Sequence, residues 1–194
     1  MAAIRRCWRF VLLCGVTIAP VGDHFHVARG VTEYFTGFGP IWLGNSPLWF
    51  VVLVATFMAS LAVVQGLLRP PPARRANASL VFVSPLVILG LYLTTSFYPA
   101  REGGSLEAVI TAGALLTYLA LDRTLAGLLI GSAVAVFATA FEAMLVHLGV
   151  FRYLPESDEL FGVAPWLLPL YFAASVAVGA IGRWMLGGIA KPDG

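Results

Sequence analysis

Charge is what this 194-residue chain has least of: 11% of its residues are Asp, Glu, Lys or Arg, while 59% are hydrophobic and the mean hydropathy is +0.88. A soluble domain carries about 25% charged and roughly 45–50% apolar residues, so the deficit excludes a water-covered surface, a disordered chain and a coiled coil. Cysteine is nearly absent. Cys7 and Cys14 both lie near the N-terminus, which leaves no disulfide scaffold and no cysteine-based metal site. Lysine is rarer still, with Lys191 standing against eleven arginines. A net charge of +2 is too small to point to nucleic acid. Catalytic motifs are missing too: there is no P-loop, no GxGxxG, no HExxH and no nucleophile with a base in order. The expectation is a protein that is not an enzyme and takes no metal and no cofactor.

What is present is apolar sequence in long runs. They lie near 8–22, 47–68, 79–98, 106–121, 124–149 and 162–189, separated by short polar or proline-rich breaks. A span needs about 20 mostly apolar residues to cross roughly 30 Å of hydrocarbon. Four runs are plainly long enough, and the first and fourth are tight. The basic residues decide the count. With six spans and a cytoplasmic N-terminus, Arg5, Arg6, Arg9, Arg69, Arg74, Arg75, Arg123, Arg183 and Lys191 fall inside, and only Arg29, Arg101 and Arg152 fall outside. That bias follows the positive-inside rule, and dropping either weak helix spoils it. The expected fold is therefore all-α: a single polytopic membrane domain, 1–194, with six transmembrane helices and both termini cytoplasmic. The first run, behind Arg5, Arg6 and Arg9, is similar to a signal peptide, but no clean small-x-small site follows it; it is read as a membrane helix.

Three polar constellations stand out. In Asp23-His24-Phe25-His26, with Arg29 and Glu33 beyond, the two histidines could ligate a metal. However, i and i+2 diverge on a helix, and the plainer reading is a polar segment at the outer end of span one. Glu142 sits inside span five, where a carboxylate is costly and suggests function by default. Gly127, Gly131, Ala135, Thr139 and Glu142 recur at i+3 or i+4 along one face, a small-residue stripe that lets another helix approach closely. Glu142 should thus face protein, either as a packing carboxyl or toward a ligand. Asp122-Arg123 lies in a turn too short for an active site, and Asp122 reads as the N-cap of the fifth helix. Gly127/Gly131 and Ser175/Gly179 offer small-residue faces through which copies of the chain could associate as a homo-oligomer.

Between about 108 and 186 the order of motifs resembles the Insig (insulin-induced gene) family. Leu121-Asp122-Arg123-Thr124 followed by Gly127 is similar to that family's Phe-Asp-Arg-Ser-x-x-Gly. Phe137-Ala138-Thr139 leads to Leu145-Val146, Gly149-Val150 and Tyr153, much as the family's L-A-T leads to L-V-x-x-G-V-Y-x-Y. Trp166-Leu167 and Gly179-Ala180-Ile181-Gly182-Arg183 match its W-L-P and G-N-I-G-R. The first half shares only the hydropathy plan.

The resemblance implies a six-span, non-enzymatic membrane protein that binds an oxysterol between helices and clasps sterol-sensing membrane proteins, in the endoplasmic reticulum if eukaryotic and the cell membrane if bacterial. It places partner engagement at Asp122 and the adjoining Arg123. The family's helix-four tryptophan maps on Tyr118, its glutamine on Ser105 and its threonine on Val109. Arginine in place of lysine suggests a GC-rich, bacterial coding bias, and there a neutral two-chain lipid such as diacylglycerol suits the cavity better than a sterol. The expected lipid contacts are Ser105, Thr111, Tyr118, Thr139 and Glu142. A different class of function, a small transporter using Glu142 as a proton-linked carboxylate, stays open, as does a lipid-modifying enzyme built on Asp23, His24, His26 and Glu33.

Overall fold

The computed structural model describes residues 1–35, 39–43, 46–69, 77–98, 105–155 and 157–187. Six helices carry the fold: α1 (Ala2–Ala28), α2 (Leu48–Leu68), α3 (Ala78–Phe97), α4 (Ser105–Leu121), α5 (Leu125–His147) and α6 (Leu167–Leu186). Five are long and apolar enough to cross a membrane; α4, with 17 residues, is shorter.

Helix α6 is the axis. Of its most apolar stretch 72% is buried, against 22% for α3. The reason lies in its small residues: Ala173, Ala174, Ala177, Gly179, Ala180 and Gly182 are all buried and let neighbours come close. A Cβ on Gly182 would overlap the Ala62 carbonyl of α2, and one on Gly131 would meet the Phe172 ring. The other five helices pack around this axis.

The sequence expectations shift at three places. The first helix does not stop near residue 22 but runs to Ala28. Asp23 and His26 fail to end it because each is buried with a partner: the Tyr34 hydroxyl donates to Asp23 Oδ1 at 2.8 Å, and His26 Nε2 lies 2.7 Å from Thr95 Oγ1. They are therefore interior groups, not an interfacial segment. The last helix starts at Leu167, five residues late, because Gly162 takes a positive φ and Leu160 bridges Val163 before a buried Trp166 opens the helix. The fold is also not purely helical. Strand β1 (Thr32–Tyr34) pairs antiparallel with β4 (Phe151–Tyr153), and β2 (Ile41–Leu43) with β3 (Ser46–Pro47). Backbone beyond the ends of α1 and α5 must find partners for its N–H and C=O groups, and β-branched and aromatic residues favour a ladder. In the first ribbon Glu33 stands opposite Arg152.

Candidate functional site

The two ends of the bundle carry different chemistry. At the end where α4 turns into α5, Asp122 is buried between α2 and α6, held by two guanidiniums. Arg69 Nη1 and Arg183 Nη2 reach its Oδ2 at 3.0 and 2.9 Å, and Arg69 Nη2 donates to Oδ1 at 3.0 Å. The hydroxyl of Thr124 also donates to Oδ1, at 2.5 Å. Gln65 extends the network: its Oε1 accepts from Arg69 at 2.8 Å and its Nε2 donates to the Ser175 carbonyl at 3.2 Å. Burial pushes the Asp122 carboxyl up. The hydrogen bonds from Arg69 and Thr124 and the charges of Arg183 and Arg69 more than offset that, holding it below the ordinary carboxylate range.

Asp122 is therefore not the cap of α5. Thr124 is, accepting from Gly127 N at 3.0 Å, because both Asp122 oxygens are already committed to arginine. Arg123 turns outward with φ 61°, its Nε donating to the Leu119 carbonyl. Nearby, Tyr118 is half-buried, its ring 5.9 Å from that of Phe172 and its hydroxyl donating to the Thr124 carbonyl at 3.0 Å.

The opposite half of the bundle is hollow. A narrow crevice of about 110 Å³ is walled by α1, α2, α3 and α6, with side chains such as Ile18, Phe50, Ile88 and Leu170. Its polar end is Glu142, 8% exposed. The Tyr153 hydroxyl donates to Glu142 Oε2 at 2.7 Å, and the Tyr171 hydroxyl donates to Oε1. Tyr92 completes this polar corner. Among the described residues no cation pairs with Glu142. The carboxyl can thus serve as an acceptor for a hydroxyl placed in the crevice.

Of the five residues expected at a lipid site, Glu142 lines the crevice and the other four do not. Thr139 is buried one turn away, and its hydroxyl has no hydrogen-bond partner among the described residues. Thr111 lies in a shallow furrow between α4 and α5. Ser105 opens α4, and Tyr118 sits at the Asp122 end. The stripe read along α5 is the buried face of that helix: Gly127, Gly131, Ala135, Thr139 and Glu142 are its buried residues. It packs inside the subunit, however. Gly131 is filled by Phe172 and Gly179 by Gln65, so neither glycine face is left for contact between copies. The histidine segment does not converge on a metal: Glu33 pairs with Arg152 and His26 with Thr95, and no group of three ligands forms among the described residues. Missed at the sequence level were Arg69 as a partner of Asp122, and the walls that α1 to α3 contribute.

These features define a class: an integral membrane helical bundle, pinned by a buried ion-pair network at one end and hollowed beneath a carboxyl at the other. No family model matches the chain. It is 39% identical over 174 residues to an INSIG protein homologue of Mycolicibacterium vanbaalenii, which covers 89% of this chain and 83% of that protein. It is 27% identical over 188 residues to the insulin-induced gene 1 protein of Bos taurus, spanning 90% of this chain and 64% of the bovine one. Its fold matches the crystal structure of the mycobacterial homologue MvINS with a TM-score of 0.85 and 37% identity over 97% of both chains. A cross-linked trimer of a cysteine variant of MvINS matches with a TM-score of 0.86, 37% identity, and 94% and 95% of the two chains. The chain belongs to the Insig family.

Proposed function

We propose that this protein holds one neutral amphipathic lipid, diacylglycerol-like or sterol-like, in the crevice and acts as a non-enzymatic lipid sensor or regulator. The observation that carries this is the crevice itself, apolar on four helices with its polar groups gathered at Glu142, Tyr171 and Tyr92. Pockets for small molecules combine apolar walls with a few placed polar groups. Each Glu142 oxygen accepts one tyrosine bond and keeps a lone pair for a ligand hydroxyl. A phosphate in the same place would oppose a carboxylate with no cation beside it, so the headgroup is uncharged and carries a donor. Diacylglycerol fits this description.

The bundle is proposed to span the membrane six times with both termini cytoplasmic, the shorter α4 making the fourth crossing. The Asp122 end then gathers Arg5, Arg6, Arg9, Arg69, Arg123 and Arg183 on the inner side. In a bacterium that membrane is the cell membrane. The trimer of MvINS supports a homo-oligomer here, built on lipid-facing side chains and not on the glycine stripes. If a second membrane protein is engaged at the Asp122-Arg123 turn, the exposed Arg123 is the group it meets, with Asp122 fixing the shape of the turn from inside.

Extraction of the purified protein followed by mass spectrometry tests the reading. It expects one neutral lipid in near-stoichiometric amount, depleted at least several-fold in Glu142→Gln at unchanged thermal transition. Lipid no higher than the detergent background would sink it. Proton-linked flux in liposomes, abolished by Glu142→Gln, would put a small transporter in its place.

A further inference from the structure

The five outer helices do not close their ring around α6. Among the described residues, close backbone approach runs continuously from α2 through α1 and α3 to α4, whereas α5 approaches α6 closely and meets α2 through side chains. Each gap beside α5 holds a hollow. The furrow between α4 and α5 shares no wall residue with the central crevice. The hollow between α2 and α5, about 240 Å³, shares five: Phe50, Val54, Met58, Glu142 and Tyr171. Those side chains form a wall common to both.

Aromatic rings cross the mouth of this second hollow. Phe57 of α2 lies against Phe137 of α5 with centroids 6.1 Å apart and planes 26° from parallel, and Phe137 continues onto Phe141 at 6.4 Å and 22°. Phe137 is 60% exposed, on the side that faces the bilayer. The other seams around α2 are shut by small residues in close approach, Gly15 against Ala55 and Gly66 against Gly182.

We infer that the gap between α2 and α5 is the lateral door through which the lipid passes between bilayer and crevice, with the Phe57–Phe137 stack as its latch. The inference rests on the lipid-binding reading above. An acyl chain cannot reach the crevice through water, because every methylene would be hydrated on the way; its route is sideways from the hydrocarbon. A stack of two rings, one of them lipid-exposed, opens by side-chain rotation, which is fast and leaves the helix backbones in place. Glu142 and Tyr171 line both hollows, so a headgroup moving inward stays within reach of its acceptor. The α4–α5 furrow, sharing no wall with the crevice, leads nowhere.

The test measures exchange and equilibrium occupancy separately. Protein in phosphatidylcholine nanodiscs is loaded with diacylglycerol bearing a fluorescent acyl chain and chased with unlabelled vesicles. Phe137→Ala is expected to speed release about fivefold to tenfold, as losing an aromatic stack lowers the barrier to opening, with equilibrium occupancy unchanged. Phe137→Trp, which keeps a ring there, returns release to the wild-type rate or below. Joining Phe57→Cys and Phe137→Cys with a short thiol crosslinker, in a background carrying Cys7→Ala and Cys14→Ala, is expected to stop exchange, and a reducible crosslinker to restore it on reduction. Leu115→Ala in the other gap leaves the rate alone. Normal occupancy with the same release rate in Phe137→Ala, or exchange that continues in the crosslinked protein, would overturn the door while leaving the lipid reading intact. Failure of wild-type protein to take up the lipid at all would overturn both.

Discussion

The Asp122 end and the Glu142 end each bury a carboxylate between helices, yet they solve the problem in opposite ways. Asp122 is neutralised by two guanidiniums, and the helices around it are drawn into contact: at Gly66 and Gly182, α2 and α6 meet backbone to backbone. Glu142 receives tyrosine hydroxyls instead of cations, and it lines a crevice walled by apolar side chains of α1, α2, α3 and α6. A carboxylate clasped by arginine in low dielectric is expensive to disturb, because removing one partner strands the others. A carboxyl held by neutral donors keeps acceptor capacity for something that comes and goes. One end is built for rigidity, and the other leaves space and a free acceptor.

The sharpest way to break that contrast is Asp122→Ala. It leaves Arg69 and Arg183 buried without a counter-charge, which typically costs about 3–5 kcal/mol, and should depress the thermal transition in detergent far more than Glu142→Gln does. The pH dependence follows in sign. The folded Asp122 carboxyl sits below its ordinary value, so its contribution is present above the unfolded value of about 3.9 and is lost as pH falls through the folded one. Stability should therefore drop on acidification below about pH 4, and that part of the drop should vanish in Asp122→Asn. An acid limb identical in the two proteins would mean that the pair is not what pins this end.

Gly182→Val should come next. A side chain at Gly182 would run into the Ala62 carbonyl, and overpacking a tight interface costs about 1–3 kcal/mol. Backbone is the obstacle, so α2 itself must move. The loss should be read as a lowered thermal transition and, because α2 also walls the crevice, as faster lipid release. Gly90→Val, on α3 with nothing within 4 Å of a Cβ, is the matched control and should be tolerated.

How much of this was legible in the sequence also divides between the two ends. The α5 stripe could be read because small and polar residues at i+3 and i+4 contrast with the leucines and phenylalanines between them, and those five positions are the buried face. Asp122 could be singled out, but not Arg69, which lies 53 residues away and looks from composition like any inner-side cation. The crevice was invisible for a deeper reason. Hydrophobic patterning reports a contrast between core and solvent, and an apolar crevice presents α1, α2 and α3 with the same apolar demand on the inside as the bilayer does on the outside. Polar residues misled for the converse reason: Asp23 and His26 resembled a helix end because their partners, Tyr34 and Thr95, come from other elements. The short ribbons were likewise hidden, because strands of three residues are too short to show an alternating pattern.

The smallest effect sharpens the comparison by supplying the same chemistry in a third environment. Arg152 grips Glu33 across the β1–β4 ribbon through both Nε and Nη2, at 2.9 and 2.6 Å, a geometry at least as close as the pairs at Asp122. Both side chains are about half exposed, 55% and 51%, where those around Asp122 are at most 9% exposed. Water screens the attraction and would resolvate either group if its partner left, so such a pair contributes about 0.2–1 kcal/mol. The ribbon has other supports: Phe151 and Tyr153 on β4 are buried beside Glu33's strand, and the ladder satisfies backbone groups on both sides. Glu33→Gln should therefore lower the transition by no more than that, with a difference from wild type that shrinks further in high salt. Asp122→Asn should keep nearly all of its effect in the same buffer, since ions do not enter the α2–α6 interface. If Glu33→Gln proves as damaging as Asp122→Asn, burial is not what separates the two ion pairs, and the rigid end owes its strength to the glycine contacts alone.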